Sequence, residues 1–216
     1  EAILSAWDAQ RKGARVLMML DVSGSMGEPA RESDPGGPTK LDLAKQAAIT
    51  ALDQFKGDDE VGLRTFTTDD EGKPVYADLV PVADLGANAE KLRTELRELR
   101  PVNGTPLYGA ANQAFDEMET NYDPALINAV ILLTDGRNED NNPDDDDEQF
   151  ADLTAKLRSQ SEGESAKPVR VFTIAYGEDA STGQLSAIAE ASNAAAYDSG
   201  DPDAIDRVFT AVVSNF

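Results

Sequence analysis

Strand-length apolar segments recur along the chain, separated by stretches with a different periodicity. Two of them, Val16–Leu20 and Ala129–Leu133, are continuously apolar, which is typical of strands buried on both faces of a parallel sheet. The full set of predicted strands is Val16–Leu20, Val61–Phe66, Tyr76–Val82, Ala129–Leu133, Val169–Ala175 and Ala195–Tyr197.

Between these strands, apolar residues recur every three or four positions, which is the spacing of amphipathic helices. The helical stripes are Leu41, Ala44, Ala48, Ala51 and Phe55; Leu92, Leu96 and Leu99; Leu107, Ala111, Ala114, Phe115 and Met118; Phe150, Leu153 and Leu157; Leu185 and Ile188; and Ile205, Val208, Phe209 and Val212. Thr39 and Asp42 predict a capping box for the first helix, and Asp201-Pro202 predicts the start of the last. Alternating strands and helices predict an α/β fold with a parallel-rich sheet and right-handed crossovers.

An acidic segment, Asn138–Glu148, interrupts this alternation. Its Asp140-x-Asn142-x-Asp144 spacing imitates the start of an EF-hand calcium loop. However, Asp145 stands where that loop needs glycine, and Ala151 stands where it needs a bidentate glutamate. A solvated, mobile loop over Asp140–Glu148 is therefore predicted rather than a second cation site.

Composition restricts the chemistry that this chain can perform. The 216 residues include no His and no Cys, and their net charge is −22. This charge opposes binding to nucleic acids and to anionic lipid, and no apolar run approaches the length of a membrane span. Without imidazole or thiol groups, a functional site must be built from oxygen atoms.

Such oxygen atoms cluster in three short motifs. Asp21-Val-Ser23-Gly-Ser25 and Thr134-Asp135-Gly136 each follow a continuously apolar strand, and Thr105 precedes a helical stripe, where it is predicted to be the N-cap. The carboxyl ends of neighbouring parallel strands share one edge of a sheet, so Asp21 and Asp135 can converge there.

The five side chains Asp21, Ser23, Ser25, Thr105 and Asp135 are therefore predicted to form a metal site. Mg²⁺ takes about six oxygen ligands, and two carboxylates with three neutral hydroxyls form a plausible but incomplete shell. Mn²⁺ and Ca²⁺ are alternatives to Mg²⁺. The open position would attract an exposed Asp or Glu of a protein partner.

These motifs resemble the metal-ion-dependent adhesion site of von Willebrand factor type A (VWA) domains. The D-x-S-x-S element, the separate Thr105 and the T-D-G element occur in the order and spacing of that family. The resemblance implies a Rossmann-like three-layer fold with a mostly parallel six-stranded sheet, one antiparallel edge strand at Tyr76–Val82, and helices on both faces. It also implies that Ser23, Ser25 and Thr105 are direct or near-direct ligands, and that Asp21 and Asp135 bind the metal directly or through water.

The resemblance also carries expectations about context. Residues 14–216 would form the VWA domain, and residues 1–13 would be the tail of a preceding region, with Trp7 as a packing anchor. The segments Thr39–Lys45 and Asp59–Leu63 are similar to bacterial extracellular VWA proteins with an upstream substrate-binding-like domain. An extracellular or cell-surface location is therefore expected. The alternative is a cytoplasmic VWA domain that assists an ATPase or chelatase assembly, which would keep the same cation site.

A phosphohydrolase is the alternative from a different functional class. Haloacid dehalogenase-type phosphohydrolases also use an aspartate at the end of the first strand, within a D-x-D-x-T motif. In this chain the second carboxylate is replaced by Ser23, and a hydroxyl of ordinary pKa cannot act as the general acid near neutral pH. The protein is therefore expected not to be an enzyme.

Overall fold

A computed structural model describes residues 12–161, 167–177, 180–199 and 204–214 of the chain. Within these residues a central sheet is covered by helices on both faces. The strands are β1 (Ala14–Asp21), β2 (Glu60–Thr68), β3 (Pro74–Asp84), β4 (Ile127–Thr134), β5 (Val169–Tyr176) and β6 (Ala196–Ser199). The helices are α1 (Lys40–Leu52), α2 (Leu85–Glu98), α3 (Leu107–Thr120), α4 (Asp146–Ser161), α5 (Thr182–Ala191) and α6 (Ile205–Val213).

The sheet has the order β3-β2-β1-β4-β5-β6. All neighbouring strands are parallel except β2 and β3, which pair antiparallel. The predicted mostly parallel, six-stranded sheet with an antiparallel edge strand is therefore confirmed. Leu20 of β1 lies opposite Leu133 of β4, so the polar residues that follow these two strands emerge side by side at one edge.

Two apolar clusters fill the space between the sheet and its helices, which explains the continuously apolar strands. Val16, Met18 and Leu20 of β1 pack toward α1, α2 and α6. The alternate residues Leu17 and Met19 pack toward α3, α4 and α5. Because both faces of β1 are covered, its central positions from Val16 to Leu20 are all apolar, and polar residues occur only near the strand ends.

The helix ends confirm some sequence predictions and correct others. The capping box is present: Asp42 N donates to Thr39 Oγ1, and Thr39 N donates to Asp42 Oδ2, both at 3.1 Å. Phe55 and Leu99 lie just beyond the ends of α1 and α2, although both side chains are buried. Because both residues are buried, they continue the apolar spacing of the helices, although each helix has already ended.

Thr105 is not the N-cap of α3, so that prediction is wrong. The cap position is Pro106, which has no capping side chain. Asn138, in the loop after β4, supplies the missing cap: its Oδ1 accepts a hydrogen bond from Tyr108 N at 3.2 Å. A side chain from a distant loop therefore caps this helix.

The acidic segment is only partly a loop. Asp146, Asp147 and Glu148 form the first turn of α4, where negative charge interacts favourably with the positive end of the helix dipole. The prediction of a loop over the whole segment is therefore wrong from Asp146 onward.

Some expectations fall on parts of the chain that the structure does not describe. The predicted N-terminal tail, including Trp7, lies outside the described residues except for positions 12 and 13, and so does Asp201-Pro202. Among the helices that are described, none has both the length and the apolar character needed to cross a lipid bilayer.

Candidate metal centre

The predicted ligands lie around an open pocket at the carboxyl edge of the sheet. The pocket has a volume of about 400 Å³. Its lining includes Ser23, Ser25, Thr105 and Asp135 from the predicted set, together with Glu28, Asn103, Gly136, Arg137 and Glu139. Asp21, the fifth predicted ligand, is fully buried and connects to this group from below.

The loop after β1 places two hydroxyls on the pocket. A single 3-10 turn covers Gly24–Gly27, and the Oγ atoms of Ser23 and Ser25 lie 3.1 Å apart. Gly24 N donates to Asn103 O at 2.7 Å, and a Cβ at Gly24 would lie 3.0 Å from Val102 O. Glycine is therefore needed because two backbones approach closely at this position.

Ser25 joins the β1 loop to the β4 loop. Its hydroxyl donates to Asp135 Oδ1 at 2.8 Å. Two serine hydroxyls and a carboxylate thus form a continuous group of oxygen atoms, although Ser25 and Asp135 belong to different strand ends.

Asp21 supports this group from beneath. Its Oδ1 accepts from Ser23 N at 2.7 Å, and its Oδ2 accepts from the Thr134 hydroxyl at 2.5 Å. Thr134 Oγ1 in turn accepts from Gly136 N at 3.1 Å. Asp21 therefore orients both the β1 loop and the T-D-G loop.

The buried position of Asp21 changes its acidity. Burial raises the pKa of Asp21 from 3.8 to about 7, hydrogen bonds from Thr134 and Ser23 offset part of that effect, and the negative charge of Asp135 adds to it. The ionised carboxylate is therefore costly here, and a divalent cation close by would stabilise it.

Backbone hydrogen bonds position Thr105 at the site. Its N–H donates to Glu139 O at 3.1 Å, and its own carbonyl accepts from Glu139 N at 2.7 Å. This pairing holds the Thr105 side chain beside the T-D-G loop, where its Oγ1 would lie 3.3 Å from a Cβ placed on Gly136. Glycine at position 136 therefore leaves room for the Thr105 hydroxyl.

A lysine that the sequence motifs did not indicate also contributes to this site. Lys40, the first residue of α1, is only 9% exposed, and its Nζ lies 2.8 Å from Asp135 Oδ2 and 3.2 Å from Glu28 Oε2. Burial by itself disfavours the ammonium, but the hydrogen bond and charge interaction with Asp135, followed by those with Glu28, leave the pKa of Lys40 above its ordinary value. The one available signal was a lysine in the first turn of a helix, where the dipole disfavours positive charge.

The donor set fits a hard divalent cation. Hydroxyl and carboxylate oxygens are the ligands that Mg²⁺ and Ca²⁺ prefer, and a buried carboxylate with a raised pKa lies directly behind them. Ser23, Ser25, Thr105 and Asp135 would face such an ion from the pocket wall, while the carboxylate of Asp21 is already bonded to Ser23 and Thr134.

A second group of carboxylates occurs in the acidic segment. Oxygen atoms of Asp140, Asp145 and Asp146 lie within 4.8 Å of one another. Neighbouring amides already bond to all three: Gln149 Nε2 donates to Asp140 and Asp145, and Asn138 Nδ2 donates to Asp146. These contacts account for the proximity of the carboxylates without an ion.

Comparisons with known proteins agree with this architecture. The sequence profile of the von Willebrand factor type A domain matches residues 16–138, which is more than half of the chain. The fold and the family match together define an α/β domain of the VWA type, and this protein belongs to the VWA family. A search of curated protein sequences finds no match.

Solved structures with the same fold come from several different organisms. A von Willebrand factor type A protein from Catenulispora acidiphila aligns with a TM-score of 0.66 and 22% identity over 94% of this chain and 42% of its own. An aerotolerance-related membrane protein from Bacteroides fragilis, with multiple mutations to serine, aligns with a TM-score of 0.66 and 17% identity over 94% of this chain and 100% of its own.

A third structure is proximal thread matrix protein 1 from the mussel byssus, solved with a zinc-occupied MIDAS motif. It aligns with a TM-score of 0.63 and 15% identity over 93% of this chain and 47% of its own. The present chain thus spans less than half of the Catenulispora and mussel proteins. At these identities the structural likeness establishes the fold.

Proposed function

We propose that this domain binds a divalent cation at the pocket and uses it to bind a protein partner. Ser23, Ser25, Thr105 and Asp135 would contact the ion, and Asp21 would act directly or through water. The observation that carries this proposal is the continuous group of Ser23, Ser25 and Asp135 oxygens on an open pocket above a buried carboxylate. Mg²⁺ is the proposed ion, with Mn²⁺ and Ca²⁺ as alternatives.

The composition of the shell explains why a partner would be needed. Three of the proposed ligands are neutral hydroxyls, so they leave much of the positive charge of the ion uncompensated. The pocket is open and has room beyond the ligands. A carboxylate from an exposed Asp or Glu of another protein would complete the shell and contribute a charge interaction in a partly desolvated setting.

Metal binding can be tested by titration calorimetry with Mg²⁺ on the wild type and on Asp135→Asn. The variant keeps the shape of the side chain but removes its charge, and we expect it to weaken binding by about tenfold or more. Asp145→Asn is the matched control, since it removes an equal charge from the neighbouring acidic cluster.

The control matters because a chain of net charge −22 attracts cations without a site. If Mg²⁺ binds the wild type and Asp135→Asn equally well, or if Asp145→Asn causes the same loss, the proposed site is wrong. In thermal unfolding, bound metal should stabilise the wild type by about 2.7 kcal/mol when free Mg²⁺ is about 100 times the dissociation constant.

The partner can be sought by capture from a surface extract of the source organism. The immobilised wild type should retain a protein in Mg²⁺ and release it in chelator, and Asp135→Asn should retain much less. Replacing one exposed Asp or Glu of the captured protein by its amide should then abolish retention. Capture that persists in chelator, or that survives every such replacement, would contradict a carboxylate-completed metal site.

We also propose that the domain acts at the cell surface or outside the cell, as part of a larger protein. The aerotolerance-related relative is named as a membrane protein and the mussel relative is from the byssus, which supports this location. Protease treatment of intact cells should remove the domain while a cytoplasmic marker stays intact. Full protection of the domain would favour the cytoplasmic alternative.

A further inference from the structure

Lys40 places a fixed positive charge against the proposed metal site. Its Nζ donates to Asp135 Oδ2 at 2.8 Å, while the other oxygen of Asp135 accepts from Ser25. The Asp135 side chain is fully buried and that of Lys40 is 11% exposed. Both oxygens of Asp135 therefore have donors from the protein, and one of these donors carries a full charge.

Several contacts hold Lys40 in this position. Lys40 N donates to Glu28 O at 3.0 Å, and Ala30 N donates to Pro38 O at 2.9 Å. A backbone bridge between Pro29 and Thr39 closes the same loop, so that Glu28 lies next to Lys40. The capping box formed by Thr39 fixes the start of the helix.

The end of β5 completes the packing around this lysine. Gly177 has a φ of +86°, and a Cβ built on it would lie 3.7 Å from Lys40 Cε. A glycine turn therefore borders the methylene chain of the lysine. With the backbone contacts, it leaves the ammonium directed at Asp135 and Glu28.

This arrangement has two opposite effects on a cation in the pocket. Without metal, the ammonium compensates the buried charge of Asp135, which keeps the site assembled. With metal, the same ammonium repels the ion, because two positive charges a few ångströms apart interact strongly in a partly buried setting. Lys40 Nζ also donates to Asp135 Oδ2, so a metal ion would bind Asp135 through Oδ1.

We propose that Lys40 is a positioning residue that holds Asp135 in place and whose positive charge weakens cation binding. Tight binding of the cation then requires the negative charge of a partner carboxylate. This inference rests on the proposed metal-dependent function. In such a site, metal and carboxylate strengthen each other's binding by the same factor. Lys40 is the part of the protein that makes this coupling large.

The test measures Mg²⁺ affinity by calorimetry in the wild type, Lys40→Gln and Lys40→Arg. Gln keeps a donor for Asp135 but removes the charge, so we expect Mg²⁺ to bind about tenfold more tightly. Arg restores the charge, so we expect an affinity close to that of the wild type. Thermal unfolding in chelator, recorded in parallel, shows whether each variant is folded.

Lys156→Gln is the matched control for overall charge. Lys156 is also paired with a carboxylate, that of Asp116, and also contacts Asn112, but it lies between α3 and α4 away from the pocket. Its replacement makes the chain more negative by the same amount, and we expect Mg²⁺ affinity to stay as in the wild type.

The outcomes separate this inference from the proposed function. If Mg²⁺ binding depends on Asp135 but Lys40→Gln binds it no more tightly, or more weakly, Lys40 is only structural and the inference is wrong. If Lys156→Gln tightens binding equally, the effect is general electrostatics and the inference is again wrong. If the wild type shows no binding that depends on Asp135, the proposed function fails, and this inference fails with it.

Discussion

Replacing Asp21 by Asn tests the central electrostatic feature of the site. The Asp21 carboxylate is fully buried, and its pKa is raised from 3.8 to about 7. Asn has nearly the same shape. Its carbonyl can accept from Ser23 N, and its amide can donate to Thr134 Oγ1, which has lone pairs available for this bond. The substitution therefore removes the charge and keeps both partners, although the Thr134 hydroxyl, which donates to Asp21 in the wild type, becomes the acceptor.

The sign of the effect follows from the direction of the pKa shift. The folded-state pKa lies above that of the unfolded chain, so the folded protein retains its proton more strongly, and stability is lost as pH rises from 3.8 to about 7. At about 1.36 kcal/mol for each pKa unit, the full cost is about 4 kcal/mol. Near pH 5.5 the cost is about 2 kcal/mol, and near pH 8 it reaches the full value.

The assay is urea unfolding in chelator at these two pH values. Asp21→Asn should be more stable than the wild type, and its advantage should grow by about 2 kcal/mol between about pH 5.5 and about pH 8. Added Mg²⁺ should then stabilise the wild type far more than the variant. A stability difference between variant and wild type that does not change with pH would refute the assignment of a buried Asp21 whose ionised form is costly. A variant that is less stable than the wild type near pH 8 would refute it as well.

Other predictions concern the frame that carries the site. Gly62→Ala should destabilise the protein by about 2 kcal/mol or more, because the new Cβ would lie 2.8 Å from Val82 N. Gly183→Ala, in α5 with nothing within 4 Å of its new Cβ, should instead stabilise by about 0.5–1 kcal/mol. Asn138→Ala should cost about 1–2 kcal/mol through the lost cap on Tyr108 N. Urea unfolding measures all three, and a Gly62→Ala variant as stable as the wild type would contradict the close strand contact.

The general architecture could be predicted from sequence because its signals are local. The periodicity of apolar residues within a segment predicts whether it is a strand or a helix. The continuously apolar β1 and β4 also indicated a sheet covered on both faces. Asp21 and Asp135 could also be predicted to lie at one edge, since the carboxyl ends of parallel strands meet there. The motif order then indicated the VWA family, which the sequence profile shows.

Helix ends were predicted less well because they depend on neighbours. Thr105 looked like an N-cap from its sequence position, but its backbone pairs with Glu139, and Asn138 caps α3 instead. The first turn of α4 begins within what looked like a charged loop. Local composition does not reveal which distant loop will supply a hydrogen bond.

The order of residues along the chain was enough to predict the main strands and helices, the all-oxygen chemistry and the candidate ligands Asp21, Ser23, Ser25, Thr105 and Asp135, whose binding of metal stays a prediction. The burial of Asp21 beneath the pocket and the contact between Lys40 and Asp135 are visible only in the folded chain. Burial and charge pairing could not be predicted because they are properties of groups brought together from distant parts of the chain. Periodicity and spacing describe one segment at a time, whereas the energy of a charge depends on everything packed around it.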